Sequence, residues 1–435
     1  MNILVIGNGF DLAHGLPTKY GDFLELCRMI KTIYDVDNKE DADQAWANLC
    51  LKVSNGIDKL RLLFMQLYSV SMVNEIEFED AGDSLWKYIV TNTEYDEFVN
   101  NINNNIWIDY FLLNPIYQKE NWIDFEGEIS RVIQTIEETR NLMVKGDDVT
   151  SIDDSRGKII KAILKVANKS IYDIFASVED VDHFVGILEN DLKRLIRALE
   201  IYLADYIEKI GCNVISPDIQ NIRFDKVLSF NYTDIFSKLY DANELAEYDC
   251  IHGRVDLKHT INTNNMVLGI DEYLPDDSKN RDVEFISFKK YFQRIHKETG
   301  CKYKEWIDGI KIGYEEYQRR KNDAWVEIVE ALKNGSINQI PYQKQVFCEK
   351  MQEECPTHKL YIFGHSLDVT DGDILRDLIL NDNVHTTIYY LNKDVMGQQI
   401  ANLVKVIGQD ELIRRTGGRT KTIEFKLQQD MVERV

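Results

Sequence analysis

The chain has 435 residues, of which 44% are hydrophobic and 11% aromatic, and it contains 6 prolines. This composition is typical of a folded globular protein of about two or three domains and excludes a disordered chain. The formal charge of −22 creates a long-range field that repels nucleic acid and anionic lipid, so neither is an expected partner.

The first predicted element is a strand over residues 3–6, which runs directly into Gly7-Asn8-Gly9. Glycine lets the backbone turn sharply and lets a phosphate approach it closely. The dinucleotide fingerprint G-x-G-x-x-G is broken here, because Leu12 occupies the third glycine position. By themselves, these residues leave two interpretations open: a nucleotide-binding turn and a purely structural strand-to-helix turn.

Helical periodicity dominates residues 24–221. The clearest stripe of apolar residues covers residues 180–210 and predicts one long amphipathic helix. Asp124 is the predicted N-cap of an earlier helix. Because a structureless connection of this length would be improbable, we predict a helical lobe over 24–221.

Polar residues follow three later predicted strands. The run at 226–230 leads into Asn231, the run at 248–251 leads into His252, and the run at 360–363 leads into residues 364–368. Further strands are predicted at 266–268 and 387–391. Because parallel strands present their carboxyl ends at one edge of a sheet, we expect these polar residues to converge on a single crevice.

Each of these residues also has a structural interpretation. Asn231 could cap the following helix, with Asp234 supporting its N-terminus, and His252 could be an ordinary buried histidine. His14 and His365 either line the pocket or are structural.

The predicted fold class is α/β, with a Rossmann-like, mostly parallel sheet and two large, mainly helical insertions. We expect the sheet domain to comprise residues 1–23, 222–274 and 356–435, with the insertions at 24–221 and 275–355. No apolar run is long enough for a signal peptide or for the ~20 residues of a membrane span. The 7 cysteines form no C-x-x-C pair and the histidines show no metal-binding spacing, so we expect reduced thiols, no metal and a cytoplasmic protein.

In this order, the strand-end segments resemble the sirtuin-like NAD-binding fold. The stretch GNGFDLAHGLPTKYGDF resembles its glycine loop, SFNYTD its asparagine-bearing strand end, IHGR its histidine-glycine pair, and FGHSLDVTD its late serine-leucine loop. The opening motif together with SFNYT, IHG and GHSLD is also similar to the AbiH group of bacteriophage abortive-infection proteins. The zinc cysteine pairs of deacetylating sirtuins are absent, which argues against deacetylation.

The resemblance implies that NAD is bound as a substrate. Asn231 would orient a water and the ribose, and His252 would accept a proton. Asp11 would bind a ribose hydroxyl or cap the following helix, while Ser366 and Asp368 would bind the adenosine ribose. The full set implied to bind the dinucleotide is Gly7, Asn8, Gly9, Phe10, Asp11, Pro17, Gly364, His365, Ser366 and Asp368.

Two functions follow as expectations. The first is an anti-phage effector that hydrolyses NAD to nicotinamide and ADP-ribose, silent until a phage-derived trigger acts, with assembly into a homo-oligomer as a further expectation. The alternative is a non-catalytic nucleotide-binding sensor or switch in phage defence. In both, the ligand is NAD or a related nucleotide.

Overall fold

The computed structural model describes residues 1–34, 93–120, 123–147, 149, 155–207, 212–274, 276–281, 283–334, 341, 345 and 354–434. Its centre is a six-stranded sheet in which every neighbouring pair of strands is parallel. A separate antiparallel pair joins the short strands Val214–Ile215 and Val432–Glu433. The strands are β1 (Asn2–Ile6), β2 (Val214–Ile215), β3 (Lys226–Ser229), β4 (Glu247–Cys250), β5 (His358–Phe363), β6 (Val384–Tyr390), β7 (Ile423–Leu427) and β8 (Val432–Glu433).

The order of strands in the large sheet is β4-β3-β1-β5-β6-β7. Counted among the parallel strands alone, this order is 3-2-1-4-5-6, which is the order of a doubly wound sheet. The chain reverses direction across the sheet between β1 and β5. In such sheets ligands bind at this reversal, outside the carboxyl ends of the strands.

Helices cover the sheet and fill most of the described chain between β1 and β3. One π-helix, Tyr202–Ile207, continues directly from the α-helix Val178–Ile201. The α-helices are α1 (Asn8–Ala13), α2 (Tyr20–Tyr34), α3 (Thr93–Ile102), α4 (Ile106–Leu112), α5 (Pro115–Glu120), α6 (Phe125–Val144), α7 (Ser155–Val166), α8 (Ile171–Ile174), α9 (Val178–Ile201), α10 (Ile235–Tyr240), α11 (Lys290–His296), α12 (Tyr303–Lys333), α13 (Gly372–Ile379), α14 (Lys393–Ile407) and α15 (Gln409–Thr416).

Strand β1 is buried on both faces, and its successive side chains point to opposite sides of the sheet. In β1, Leu4 and Ile6 belong to a large core shared with the helices that precede β3. Ile3 and Val5 belong to a second core, which α12, α13 and α14 complete. The near-continuous apolar runs found in the sequence are therefore those of a sheet covered by helices on each side.

The structure differs from three sequence predictions. Residues 266–268 are buried but do not form a strand: Val267 N donates to His252 O (2.8 Å), and the side chain of Gln293 bonds both backbone groups of Leu268 (3.0 Å each). The predicted helix over 180–210 is interrupted at Tyr202, where the π-helix begins, and residues 208–210 of that prediction lie outside the described residues. The sixth strand, β7, was missed.

Two other predictions concern the N-cap of one helix and the extent of the insertions. Asp124 is the N-cap of α6, and its side chain accepts a hydrogen bond from Gly127 N (3.0 Å), which confirms that prediction. In the predicted insertions, residues 35–92 and most of 335–353 lie outside the described residues.

Candidate functional site

A cavity of about 540 Å³ opens at the carboxyl ends of the parallel strands, next to the reversal between β1 and β5. Its size is within the range of small-molecule sites. The loops after β1, β3, β4 and β5 all contribute to it, as do the start of α6 and the segment before α11. The predicted site residues that line it are Gly7, Asn8, Gly9, Asp11, Asn231, His252, Gly364, His365, Ser366 and Asp368.

Phe10 and Pro17 do not line this cavity. Phe10 has no exposed surface and packs its ring against His14, Phe236 and Phe363 in the core. Pro17 accepts a hydrogen bond from Tyr202 OH through its backbone oxygen (2.6 Å). The π-helix that begins at Tyr202 thus anchors the loop that follows α1.

The glycine turn packs tightly against the loop after β5. Gly9 N donates to Gly364 O (2.8 Å), and a Cβ on Gly9 would lie 2.7 Å from that oxygen. Gly364 has a φ of +68°, and a Cβ on it would lie 2.1 Å from Phe10 N. Gly7 N and Phe10 N also donate to backbone carbonyls. Because these three amides are already used, the turn holds two loops together and leaves ligand binding mainly to side chains.

Asn8 explains the spacing between the glycine turn and Leu16-Pro17-Thr18. Its Oδ1 accepts a hydrogen bond from Thr18 Oγ1 (2.6 Å), and its Nδ2 donates to Thr18 O (3.2 Å). Both residues line the cavity. The side chain therefore closes the loop into a rim beside the cavity.

Asp11, Asn231 and Thr233 form what we term the neutral cluster. Asp11 is only 2% exposed and accepts hydrogen bonds from Asn231 Nδ2 (2.9 Å) and Thr233 Oγ1 (2.7 Å). Burial raises the pKa of Asp11 to about 7, against the lowering effect of these two hydrogen bonds. No cation contacts the carboxyl among the hydrogen bonds and ion pairs of the described residues.

Asn231 itself has one unused polar atom. The residue is 4% exposed, and its Oδ1 is buried without a hydrogen-bond partner among the described residues. The helix-capping interpretation of Asn231 is wrong, because its amide binds Asp11 and the following helix α10 starts at Ile235. Asp234 is the residue before α10, but its carboxylate binds Arg254 (2.7 Å) instead of capping the helix. The capping interpretation of Asp11 is also wrong, because Asp11 lies within α1.

A second group of ionisable side chains in the cavity lies around Asp371, which is 8% exposed. His252 Nε2 lies 3.5 Å from Asp371 Oδ1, and His365 Nε2 lies 3.5 Å from Asp371 Oδ2. Lys290 Nζ lies 3.8 Å from the same carboxylate and 2.7 Å from Glu126 Oε2. We term Glu126, His252, Lys290, His365 and Asp371 the ionic cluster.

The two histidines make different contacts through their ring nitrogens. His365 Nδ1 accepts from Leu367 N (2.9 Å), so it carries no hydrogen and Nε2 carries the one that points to Asp371. His252 Nδ1 lies 3.3 Å from Phe230 O, and its Nε2 lies 3.5 Å from Asp371 Oδ1. Both nitrogens of His252 therefore face oxygen atoms of the protein.

Charge compensation reverses the effect of burial on Asp371. Although burial opposes ionisation, Lys290 and the two histidines hold the pKa of Asp371 well below its usual value. Burial likewise opposes the charge of Lys290, but Glu126 and Asp371 raise its pKa. Burial raises the pKa of Glu126, and it raises that of the nearby Asp271 to about 6.

The two residues predicted to bind the adenosine ribose have local roles in the chain. Asp368 Oδ1 accepts from Thr370 N (3.2 Å) and caps a short 3₁₀ helix that ends at Asp371. Ser366 O accepts from Asn402 Nδ2 (3.0 Å). Both still line the cavity. His14 is structural: its Nε2 lies 2.8 Å from Tyr240 OH in the core, and burial lowers its pKa.

Sequence reasoning missed the charged residues that dominate the site. Asp371 follows Asp368 by three positions, within a segment already singled out for its resemblance, so its position was available as a signal. Lys290 and Glu126 lie in the predicted helical insertions, and no motif marks them. Among the described residues, no group of three or more His, Cys, Asp or Glu side chains has the geometry to hold a metal ion.

Comparison with known protein families matches residues 3–391 to a family described as bacteriophage abortive infection AbiH. Neither the curated proteins nor the solved structures contain a significant match to the chain. Within the described part of the chain, no helix combines the length and apolar character required to cross a membrane.

Proposed function

The chain belongs to the bacteriophage abortive infection AbiH family, which implies a role in abortive infection, and on that premise we propose that its cavity binds NAD and hydrolyses it to nicotinamide and ADP-ribose. The observation that carries this proposal is the common cavity of Asn231 and His252, formed where the strand order reverses. A strand order of 3-2-1-4-5-6 is that of the Rossmann fold, which binds dinucleotides at this position. We take the sheet to be the sirtuin-like core and the helical segments at 24–221 and 275–355 to be its insertions.

The charges of the cavity suit this reaction. NAD carries a positive charge on its nicotinamide ring, and cleavage of the glycosidic bond places positive charge on the ribose. The carboxylates of Glu126, Asp271 and Asp371 provide negative potential around the cavity. Carboxylates near the ribose stabilise the positive charge that develops on the ribose in the transition state, which the ribose of bound NAD lacks. Lys290 is the one lysine or arginine that lines the cavity among the described residues and would face the pyrophosphate.

The proposed reaction breaks the bond between ribose C1′ and the nicotinamide nitrogen, and the bonding electrons go to nicotinamide. Water oxygen forms the new bond to C1′, and its proton passes to His252. Asn231 Oδ1, which has no partner, accepts a hydrogen bond from the ribose or the water. To accept this proton, His252 must be neutral with no hydrogen on Nε2, the nitrogen that lies 3.5 Å from Asp371 Oδ1 in this structure.

This requirement supports a second candidate function. With both nitrogens of His252 facing acceptors, the protein could bind a nucleotide without hydrolysing it. The ion pair between Lys290 and Glu126 joins the ligand cavity to α6. Ligand binding that competes for Lys290 would then alter the helical part of the molecule, as expected of a sensor.

The two functions are separated by incubating the purified full chain with NAD, with and without lysate from phage-infected cells, and measuring nicotinamide and ADP-ribose by chromatography. The effector proposal predicts equal molar release of both products. It also predicts at least a ~100-fold loss of rate for Asn231→Ala and for His252→Ala. His385→Ala and Asn243→Ala, at exposed positions, are the matched controls and should retain full rate.

Calorimetric binding of NAD without product release under either condition would reject hydrolysis and support the sensor. Absence of both binding and turnover would reject the two functions together. Undiminished turnover by folded Asn231→Ala protein would reject the assignment of that residue.

A further inference from the structure

The unused oxygen of Asn231 has a defined direction because the rest of its amide is fixed. Nδ2 donates to Asp11 Oδ1 at 2.9 Å, so the amide group cannot rotate without losing this bond. Thr233 Oγ1 in turn fixes the second carboxylate oxygen of Asp11 at 2.7 Å. The remaining atom, Oδ1, is buried, unpartnered and part of a residue that lines the cavity. A buried acceptor of this kind is unfavourable unless a ligand or water supplies a donor.

We propose that Asp11 is the positioning residue of the site: by binding Nδ2 it directs the Oδ1 of Asn231 into the cavity, where that oxygen accepts a hydrogen bond from a hydroxyl group of the ligand's ribose. The inference rests on the proposed function for the identity of the ligand. It assigns Asp11 a role different from direct contact with the ribose, because both oxygens of Asp11 are already bonded within the protein.

The chemistry restricts what can occupy this point of the cavity. An amide oxygen only accepts hydrogen bonds, so the group opposite must donate one. A hydroxyl satisfies this condition, whereas a phosphate or carboxylate oxygen would face another acceptor. Asn231 therefore marks the position of a sugar and excludes the pyrophosphate from the same position. The phosphates would lie toward Lys290, which carries positive charge.

Loss of the hydrogen bond between Asn231 Nδ2 and Asp11 should change which atom Asn231 presents to the ligand. In Asp11→Leu, Asn231 Nδ2 loses its acceptor, so the Asn231 amide is free to turn and present its Nδ2 to the ligand. The reciprocal double variant Asp11→Asn/Asn231→Asp restores the original pattern in reverse. The residue 11 amide donates to one carboxylate oxygen at 231, and the second carboxylate oxygen faces the cavity as an acceptor.

The experiment measures calorimetric binding of ADP-ribose and of its 2″-deoxy and 3″-deoxy forms, which lack one hydroxyl of the terminal ribose. The wild-type chain should lose at least about tenfold in affinity when the recognised hydroxyl is removed. Asp11→Leu should bind ADP-ribose about tenfold more weakly and should no longer distinguish it from the deoxy form. The double variant, which keeps a hydrogen bond between positions 11 and 231, should retain most of the affinity and the discrimination. A purely structural role for Asp11 would leave the discrimination unchanged, so this coupling tests positioning itself.

Several results would overturn the inference: equal affinity of the wild type for all three ligands, unchanged discrimination in Asp11→Leu, or no binding of ADP-ribose at all. The comparison of the three ligands uses the wild-type chain, so it does not depend on whether any variant folds. Failure of the proposed hydrolysis is separately visible, because NAD would then give no nicotinamide while ADP-ribose binding still showed the coupling. Conversely, intact NAD hydrolysis without the coupling would reject the role of Asp11 alone.

Discussion

Two carboxyl groups that line the same cavity, those of Asp11 and Asp371, are both buried, at 2% and 8% exposure. Their pKa values nevertheless shift in opposite directions. In the neutral cluster, an amide and a hydroxyl donate to Asp11, and burial raises its pKa to about 7. In the ionic cluster, Lys290 is close enough to hold the pKa of Asp371 well below its usual value.

The contrast shows that burial alone does not decide whether a carboxyl is charged. Removing a carboxylate from water is costly in both places, and neutral hydrogen-bond donors offset only part of that cost. A nearby ammonium offsets more, because the attraction between opposite charges is strong where water is excluded. One cavity can therefore contain a carboxyl that titrates near neutral pH and another that remains ionised.

Lys290→Met should have the largest effect, because it removes the charge that makes Asp371 differ from Asp11. The buried Asp371 and the partly buried Glu126 would then lack the ammonium that compensates them, so we expect the free energy of unfolding at pH 8 to fall by about 3–5 kcal/mol. Without Lys290 the pKa of Asp371 rises, so the folded state takes up a proton as the pH falls and the loss becomes smaller. Urea denaturation at pH 8 and pH 5.5 measures both effects.

Lys405→Met is the control, because Lys405 is exposed near the end of α14 and should change stability by less than about 0.5 kcal/mol. A loss that is the same at both pH values would show that Lys290 acts through packing and not through charge.

Asp11→Asn tests whether the carboxyl of Asp11 titrates near neutral pH. The pKa of Asp11 is about 7 in the fold against the usual 3.8, so its stabilising contribution is complete below about pH 4 and is lost as the pH rises to about 7. Asparagine does not titrate. The difference in unfolding free energy, variant minus wild type, should therefore increase by about 3 kcal/mol between pH 5 and pH 8.

Chemical denaturation across that range tests this expectation, with Asp308→Asn on the exposed surface of α12 as the control whose difference stays nearly constant. A flat difference for Asp11→Asn would mean that the carboxyl is ionised throughout, as Asp371 is.

The smallest expected effect is that of Thr233→Val. The hydroxyl of Thr233 lowers the pKa of Asp11, so its removal should raise the midpoint of the Asp11 titration by about one pH unit. The carboxyl carbon resonance of Asp11, followed by NMR as a function of pH, gives this midpoint directly. Thr233→Ser retains the hydroxyl and should leave the midpoint in place. A midpoint unaffected by Thr233→Val would show that Asn231 alone supplies the stabilising hydrogen bond.

The site could be predicted from the sequence where its residues directly follow buried strands. Asn231, His252 and Gly364 come after β3, β4 and β5, and an apolar run followed by a polar or glycine residue is visible in any single sequence. The same rule misjudged residues 266–268, because Gln293, from a helix distant in sequence, bonds their backbone in place of a neighbouring strand. It missed β7, whose polar residues Glu424 and Lys426 alternate with apolar ones.

The sequence by itself determined the parallel sheet, the glycine turn and the family, since each depends on a short pattern or on the order of several short patterns. Tertiary structure alone decided which polar atoms meet. Asp11 and Asn231 are 220 positions apart, and Lys290 contacts Glu126 and Asp371 across still other segments of the chain. Local patterns act within a few residues, whereas the proton state of a buried group depends on every charge and dipole that folding brings near it. That is why the sequence identified the cavity but not its charges.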